Sequence, residues 1–245
     1  MTHSSPIRKF LFLSIALLFF SACSLDPDPE YQLPDPIRSY FILYNYLAEP
    51  YHLEWEVEGY ALSVVHEYGG TILGFVNLDS AANDITFSAF RHYSSTRIQT
   101  VTYRMEENNY YMLAIMGRED SAHILCKPMD LESPASGMIK LCMIHASMAH
   151  DSLDIYVGGG SADQRIISGI TYKEASGYLE VWPDDLSDSV VVSPHGSAPG
   201  IDTVLVSMTN PGIFHQDRIY LGVIGHPDPS DTTSLNLVFY DQPQY

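Results

Sequence analysis

Residues 153–159 read Leu153-Asp154-Ile155-Tyr156-Val157-Gly158-Gly159. Leu153, Ile155 and Val157 alternate with Asp154 and Tyr156, the period of two that sends successive side chains to opposite faces of a β-strand. The glycines then end the run. Ile85, Phe87 and Ala89 alternate in the same way with Thr86, Ser88 and Phe90, and Val204, Val206 and Met208 with Leu205 and Ser207. Between such runs lie clusters of Gly, Pro, Asn, Asp and Ser, and long helical periodicity is absent. This pattern predicts an all-β chain of sandwich type. Strands are expected over 40–46, 53–58, 71–78, 84–90, 98–104, 110–116 and 122–127, then over 139–145, 153–158, 165–171, 177–182, 188–193, 202–208, 218–225 and 233–240.

The two sets of strands read as copies. Asn45 falls on His145, Trp55 on Ile155, Val57 on Val157 and Gly59 on Gly159. Further on, Tyr68 meets Tyr172, Gly74 meets Gly177, Leu113 meets Leu221, Gly117 meets Gly225 and Asp130 meets Asp241. The offset drifts from 100 to 111, as loop insertions would make it. The expectation is two tandem sandwiches of the immunoglobulin/transthyretin-like kind, over 38–130 and 138–245, joined by a polar linker, 131–137.

Ahead of them, Arg8 and Lys9 precede a run from Phe10 to Phe20 that is apolar except for Ser14. Such a run suits a signal peptide and is too short for a bilayer, which needs about 20 residues. It ends in Phe20-Ser21-Ala22-Cys23, which resembles a bacterial lipobox. That resemblance implies a lipoprotein signal peptide over 1–22 and acylation of Cys23. Acyl chains contribute about 0.8 kcal/mol per buried methylene, so two or three hold a protein at a membrane durably. Ser24 after the cysteine implies the outer membrane, by resemblance to Gram-negative lipoproteins. Residues 23–37 carry four prolines with Asp26, Asp28, Glu30 and Asp35, and read as an extended acidic tether of the kind that accompanies surface export.

Acidic residues number 30 against 12 basic, a net charge of −18. That excludes a general nucleic-acid binder, which needs a basic footprint. Three cysteines exclude a disulfide-stapled scaffold. Cys126 and Cys142 lie in apolar runs and read as small core residues.

The second copy carries His145-Ala146-Ser147, the strand Leu153 to Val157, Gly159, and later Gly169 to Tyr172 and Tyr178. This resembles the DUF4397 family over residues 138–241. The first copy departs from the pattern, with Asn45 in place of the His and Glu56 in place of the Asp, and Met148 replaces the usual Pro. The resemblance implies extracytoplasmic β-sandwich modules, often lipid-anchored, and implies no reaction. His145, Ser147, Asp154, Tyr156 and Gly159 are therefore the motif residues. Asp154 lies between inward positions and is expected to point away from the core. A contact between His145 and Asp154, or bonds from them to turn backbone, would fix the loop between strands, and Gly159 would supply a positive φ.

No metal, cofactor or catalytic constellation stands out. His145 and His150 lack zinc spacing, the acidic loop at Asp184, Asp185 and Asp188 lacks the alternation of a calcium loop, and there is no Gly-x-Ser-x-Gly elbow. The early aromatics Tyr44, Tyr51, Trp55 and Tyr60 are candidates for an exposed stacking surface. The leading expectation is a non-enzymatic envelope protein that displays two modules for protein or polymer contact. A glycan-binding lipoprotein of an uptake system comes second, and a hydrolase with strand-borne carboxylates third. An assembly module should present an exposed edge strand or an apolar patch, and a glycan binder two or three exposed aromatic rings on one face.

Overall fold

The computed structural model describes residues 36–158, 164–200, 204–209 and 214–243. The first half contains β1 (Arg38–Leu47), β2 (Leu53–Val57), β3 (Tyr60–His66), β4 (Thr71–Asn77), β5 (Ala82–Arg91), β6 (Arg97–Glu106), β7 (Tyr110–Gly117) and β8 (His123–Pro128). The second contains β9 (Ile139–His145), β10 (Ser152–Val157), β11 (Arg165–Thr171), β12 (Leu179–Val181), a short helix α1 (Pro183–Asp188), β13 (Ser189–Pro194), β14 (Val206–Thr209), β15 (Ile219–Gly225) and β16 (Asn236–Asp241). All expected strands are present. Strand β3 and helix α1 were not expected. The turn Glu58-Gly59, with φ of 52° and 78°, makes β2–β3 a two-residue hairpin. Pro183 opens α1, and Asp184 and Asp185 complement the positive end of its first turn.

The strands form four sheets, ordered β4-β1-β7-β8 and β3-β2-β5-β6 in the first half, and β12-β9-β15-β16 and β11-β10-β13-β14 in the second. Adding eight to each label of the first half reproduces the second. Even the parallel pair is repeated, β1 with β7 and β9 with β15. Finer details agree as well. Asn45 N–H donates to the Gly70 carbonyl and His145 N–H to that of Glu174, which supports the match of Tyr68 with Tyr172. Tyr111 Oη accepts the N–H of Glu106, and Tyr220 Oη that of His215, each five residues earlier.

The pairings of Leu113 with Leu221 and of Gly117 with Gly225 are each out by one. Asn45 lies opposite Ile115 and His145 opposite Ile224, so Ile115 corresponds to Ile224 and Met112 to Leu221. A slip of one exchanges faces, and Leu113 and Leu221 do lie in different cores. The matches of Gly74 with Gly177 and Asp130 with Asp241 are each out by two, because Phe41–Gly74 corresponds to Leu141–Leu179 and Tyr111–Pro128 to Tyr220–Asp241.

Each half has its own core. Leu53, Trp55, Ile85, Phe87, Leu113 and Ile115 fill the first, and Leu141, Met143, Leu153, Ile155, Val192 and Ile224 the second. Val206 and Met208 pack on the second core as the alternation predicts, whereas Val204 precedes β14 and is exposed. A third core lies between the halves. Ile42, Tyr44, Tyr46, Met112, Ala114 and Met116 of sheet β4-β1-β7-β8 meet Cys142, Ile144, Ala146, Leu221 and Val223 of sheet β12-β9-β15-β16. The sheets therefore stack four deep, with these two innermost. Tyrosines make the third core specific. Tyr46 Oη and Tyr240 Oη are 2.5 Å apart, and Tyr44 Oη donates to Gln242. Tyr68 Oη accepts the N–H of His226 and donates to its carbonyl.

Candidate functional site: the open flank of the first sandwich

The motif residues form two separate structural locks. His145, at the end of β9, is buried, and its Nε2–H donates to the His150 carbonyl at 2.8 Å. Ser147 Oγ accepts the N–H of Ala149 and closes the turn after β9. The expected His145–Asp154 contact does not form. Asp154 points away from the strand's inner face yet is 0% exposed, because a bulge within β11 and the loop after β13 fold over it. Its carboxylate accepts N–H bonds from Gly169 at 2.7 Å and Gly196 at 3.1 Å, one from His195 Nδ1 at 2.8 Å and one from Arg165 at 3.3 Å. Tyr156 Oη bonds to the same carboxylate and to the Ser197 carbonyl. Desolvation raises the Asp154 pKa, but these donors outweigh it and hold the carboxyl below its ordinary value. Gly169, at the bulge of β11, and Gly196, in the loop after β13, both have positive φ, 67° and 79°, which turns each amide inward. Cys23 and Gly159 lie outside the described residues.

The four candidate aromatics do not make one surface. Tyr44 is buried in the third core and Trp55 in the first, where its Nε1–H donates to His66. Tyr51 donates to Glu119 beside the Arg91 guanidinium, and only Tyr60 is well exposed. The alternation of β1 and β2 placed Tyr44 and Trp55 on inner faces that a census of aromatics could not see. Cys126 and Cys142 are free thiols, and burial pushes that of Cys126 up to about 12.

What the sequence reading missed is a flank. Strand β3 ends sheet β3-β2-β5-β6, and β4 ends sheet β4-β1-β7-β8 on the same side. The sequences are Tyr60-Ala61-Leu62-Ser63-Val64-Val65-His66 and Thr71-Ile72-Leu73-Gly74-Phe75-Val76-Asn77. Neither contains Lys, Arg, Asp, Glu or Pro, the residues that ordinarily blunt an edge. Leu73 is 60% and Phe75 53% exposed, on the face they share with Ile42 and Tyr40, and Val64 and Val65 of β3 are exposed as well.

The backbone of β4 is equally open. The bond from Leu78 N–H to the Ile37 carbonyl fixes the phase of the β1–β4 ladder. Ile72, Gly74 and Val76 therefore bond inward to β1, and the N–H and C=O groups of Thr71, Leu73, Phe75 and Asn77 face away from it. Among the described residues no strand lies on that side of β4. The corresponding strand of the second half, β12, is three residues long with Glu180 at its centre.

Phe75 continues a row of rings across the sheet. Tyr40 lies opposite both Phe75 and Tyr110, and the Tyr40 and Tyr110 rings stack at 4.6 Å and 9°. The Arg38 guanidinium sits 4.7 Å over the Phe75 ring. One face of each of these rings is thus already taken by a neighbour. Beside the row, Thr71 and Leu73 form one wall of a cleft of about 390 Å³ whose other wall holds Tyr240, Asp241 and Gln242.

No family model matches the chain. No curated protein matches it either. One solved structure with some likeness is described as "Alpha-glucan binding by a streptococcal virulence factor"; it is 14% identical, the match covers 80% of this chain and 95% of that one, and the TM-score is 0.24.

Proposed function

We propose that this is a non-catalytic, lipid-anchored envelope protein that assembles through the open flank of its first sandwich, where β4 accepts an extended strand of another polypeptide. The observation that carries the reading is β4 itself: seven uncharged residues with an outward row of amides and carbonyls and with Leu73 and Phe75 standing in water. Strand addition draws its affinity from such backbone groups and its selectivity from alternate side chains. Anchoring is supported by Arg8-Lys9, the apolar run and Cys23, and placement at the outer membrane by Ser24. Membership of the DUF4397 family is part of the same proposal, on the motif residues of the second half. Glycan contact is the second reading, favoured by Tyr93, which is 91% exposed and stands against His92 at the β5–β6 turn.

A photo-cross-linking amino acid at position 73 tests the proposal in intact cells, with position 102 on the opposite edge, β6, as reference. Position 73 is expected to yield a discrete adduct with a polypeptide and position 102 none. Absence of any adduct at 73 overturns the reading.

A further inference from the structure

We infer that the strand received by β4 is β4 of a second copy of this chain, paired antiparallel about a two-fold axis at Gly74; the inference rests on the assembly reading above. The strand is self-complementary about that glycine. Reading outward, Leu73 mirrors Phe75, Ile72 mirrors Val76 and Thr71 mirrors Asn77. Large apolar meets large apolar, β-branched meets β-branched, and polar meets polar.

The backbone phase fits the same register. The groups facing outward belong to Thr71, Leu73, Phe75 and Asn77, and a two-fold at Gly74 sets these residues opposite one another, Leu73 to Phe75 and Thr71 to Asn77. Each such pair can exchange two hydrogen bonds. Phe75 of the second copy then lies beside Leu73 at the mouth of the cleft between Leu73 and Tyr240, where cross-strand apolar contact is favourable.

Charge removes the usual objection. The chain carries −18, so two copies repel at long range, but β4 brings no charge into the contact. At β12 the same pairing would set Glu180 near its own image, and like charges opposite each other destabilise a strand pair. A two-fold contact also consumes the same edge on both partners, so the assembly closes as a dimer.

The experiment uses the full chain purified in detergent. Thr71→Cys and Asn77→Cys are made singly and together, and each variant is mildly oxidised beside the wild type. Paired residues have Cα atoms about 5.5 Å apart, within disulfide reach, whereas Thr71 and Asn77 of one strand lie about 20 Å apart. The double variant is expected to become a covalent dimer, and each single variant to cross-link no more than wild type. Leu73→Lys is expected to convert a sedimenting dimer to a monomer that still unfolds cooperatively, with a melting temperature that no longer rises with protein concentration. A wild-type chain that is monomeric at all concentrations, or single variants that cross-link as fully as the double, overturns self-pairing. If the cross-linker at 73 then captures a different polypeptide, the assembly reading stands without self-pairing; if it captures nothing, both fall.

Discussion

His66 is held neutral by its neighbours. Its Nδ1 accepts the Trp55 Nε1–H at 3.0 Å, and its Nε2–H donates to the Gly70 carbonyl at 2.8 Å. A second proton would have to enter at Nδ1, against an N–H. Burial pushes the pKa of His66, and likewise of His145, down to about 4. In the unfolded chain both titrate at about 6.5. Below that pH the unfolded state binds more protons than the folded one, so stability falls as pH falls. The contribution of each, about 3 kcal/mol, is fully present above about pH 6.5 and lost by about pH 4. The melting temperature is therefore expected to fall steadily between pH 6.5 and 4; a flat profile there would contradict the buried neutral imidazoles. Asp154 is a second residue whose partners fix its role. Asp154→Ala removes the acceptor of the Gly169 and Gly196 amides and the partner of the half-exposed His195 and Arg165 side chains. A loss of about 2–4 kcal/mol in chemical denaturation is expected, and a change within experimental error would mean that the β11 bulge and the loop after β13 do not depend on the carboxylate.

Strands were legible because their alternation is local. Ile85, Phe87 and Ala89 are buried as a two-residue period requires, and β9 and β11 have the expected bounds. Strand β3 was missed because five of its seven residues are exposed, so no inward face marks the run; the nearby signal was Glu58-Gly59, a two-residue turn that demands a partner for β2. The alignment of the halves went wrong where composition was similar on adjacent positions. Leu113 and Leu221 look equivalent in sequence, and only the β1–β7 and β9–β15 registers reveal the one-residue slip. Tyr44 and Trp55 do not form a surface for a related reason: an aromatic ring suits both a wet face and a packed one, and which it meets depends on distant chain, the opposed sheet of the same half for Trp55 and the second half, about a hundred residues on, for Tyr44. The open flank was illegible as such, since an edge is a property of strand order, and order is not written in any one strand.

At the scale of the molecule, the third core changes what each half can do alone. Cys142, Ile144, Ala146, Leu221 and Val223 would enter water if residues 138–245 were excised. A fully buried aliphatic side chain contributes about 1.5–3 kcal/mol relative to an exposed one, and an apolar patch of that kind promotes association. Residues 138–245 produced alone are expected to self-associate or to melt well below the full chain, while the full chain melts in one transition. An excised half that is monomeric and as heat-resistant as the parent would show that the inner sheets merely touch. Where two independent proteins meet through such faces, dilution separates them. Here the stretch from 131 to 137 keeps the partners within reach at an effective concentration of the order of millimolar or more, so their embrace is indifferent to how scarce the protein becomes, and abundance is free to govern only contacts made elsewhere on its surface.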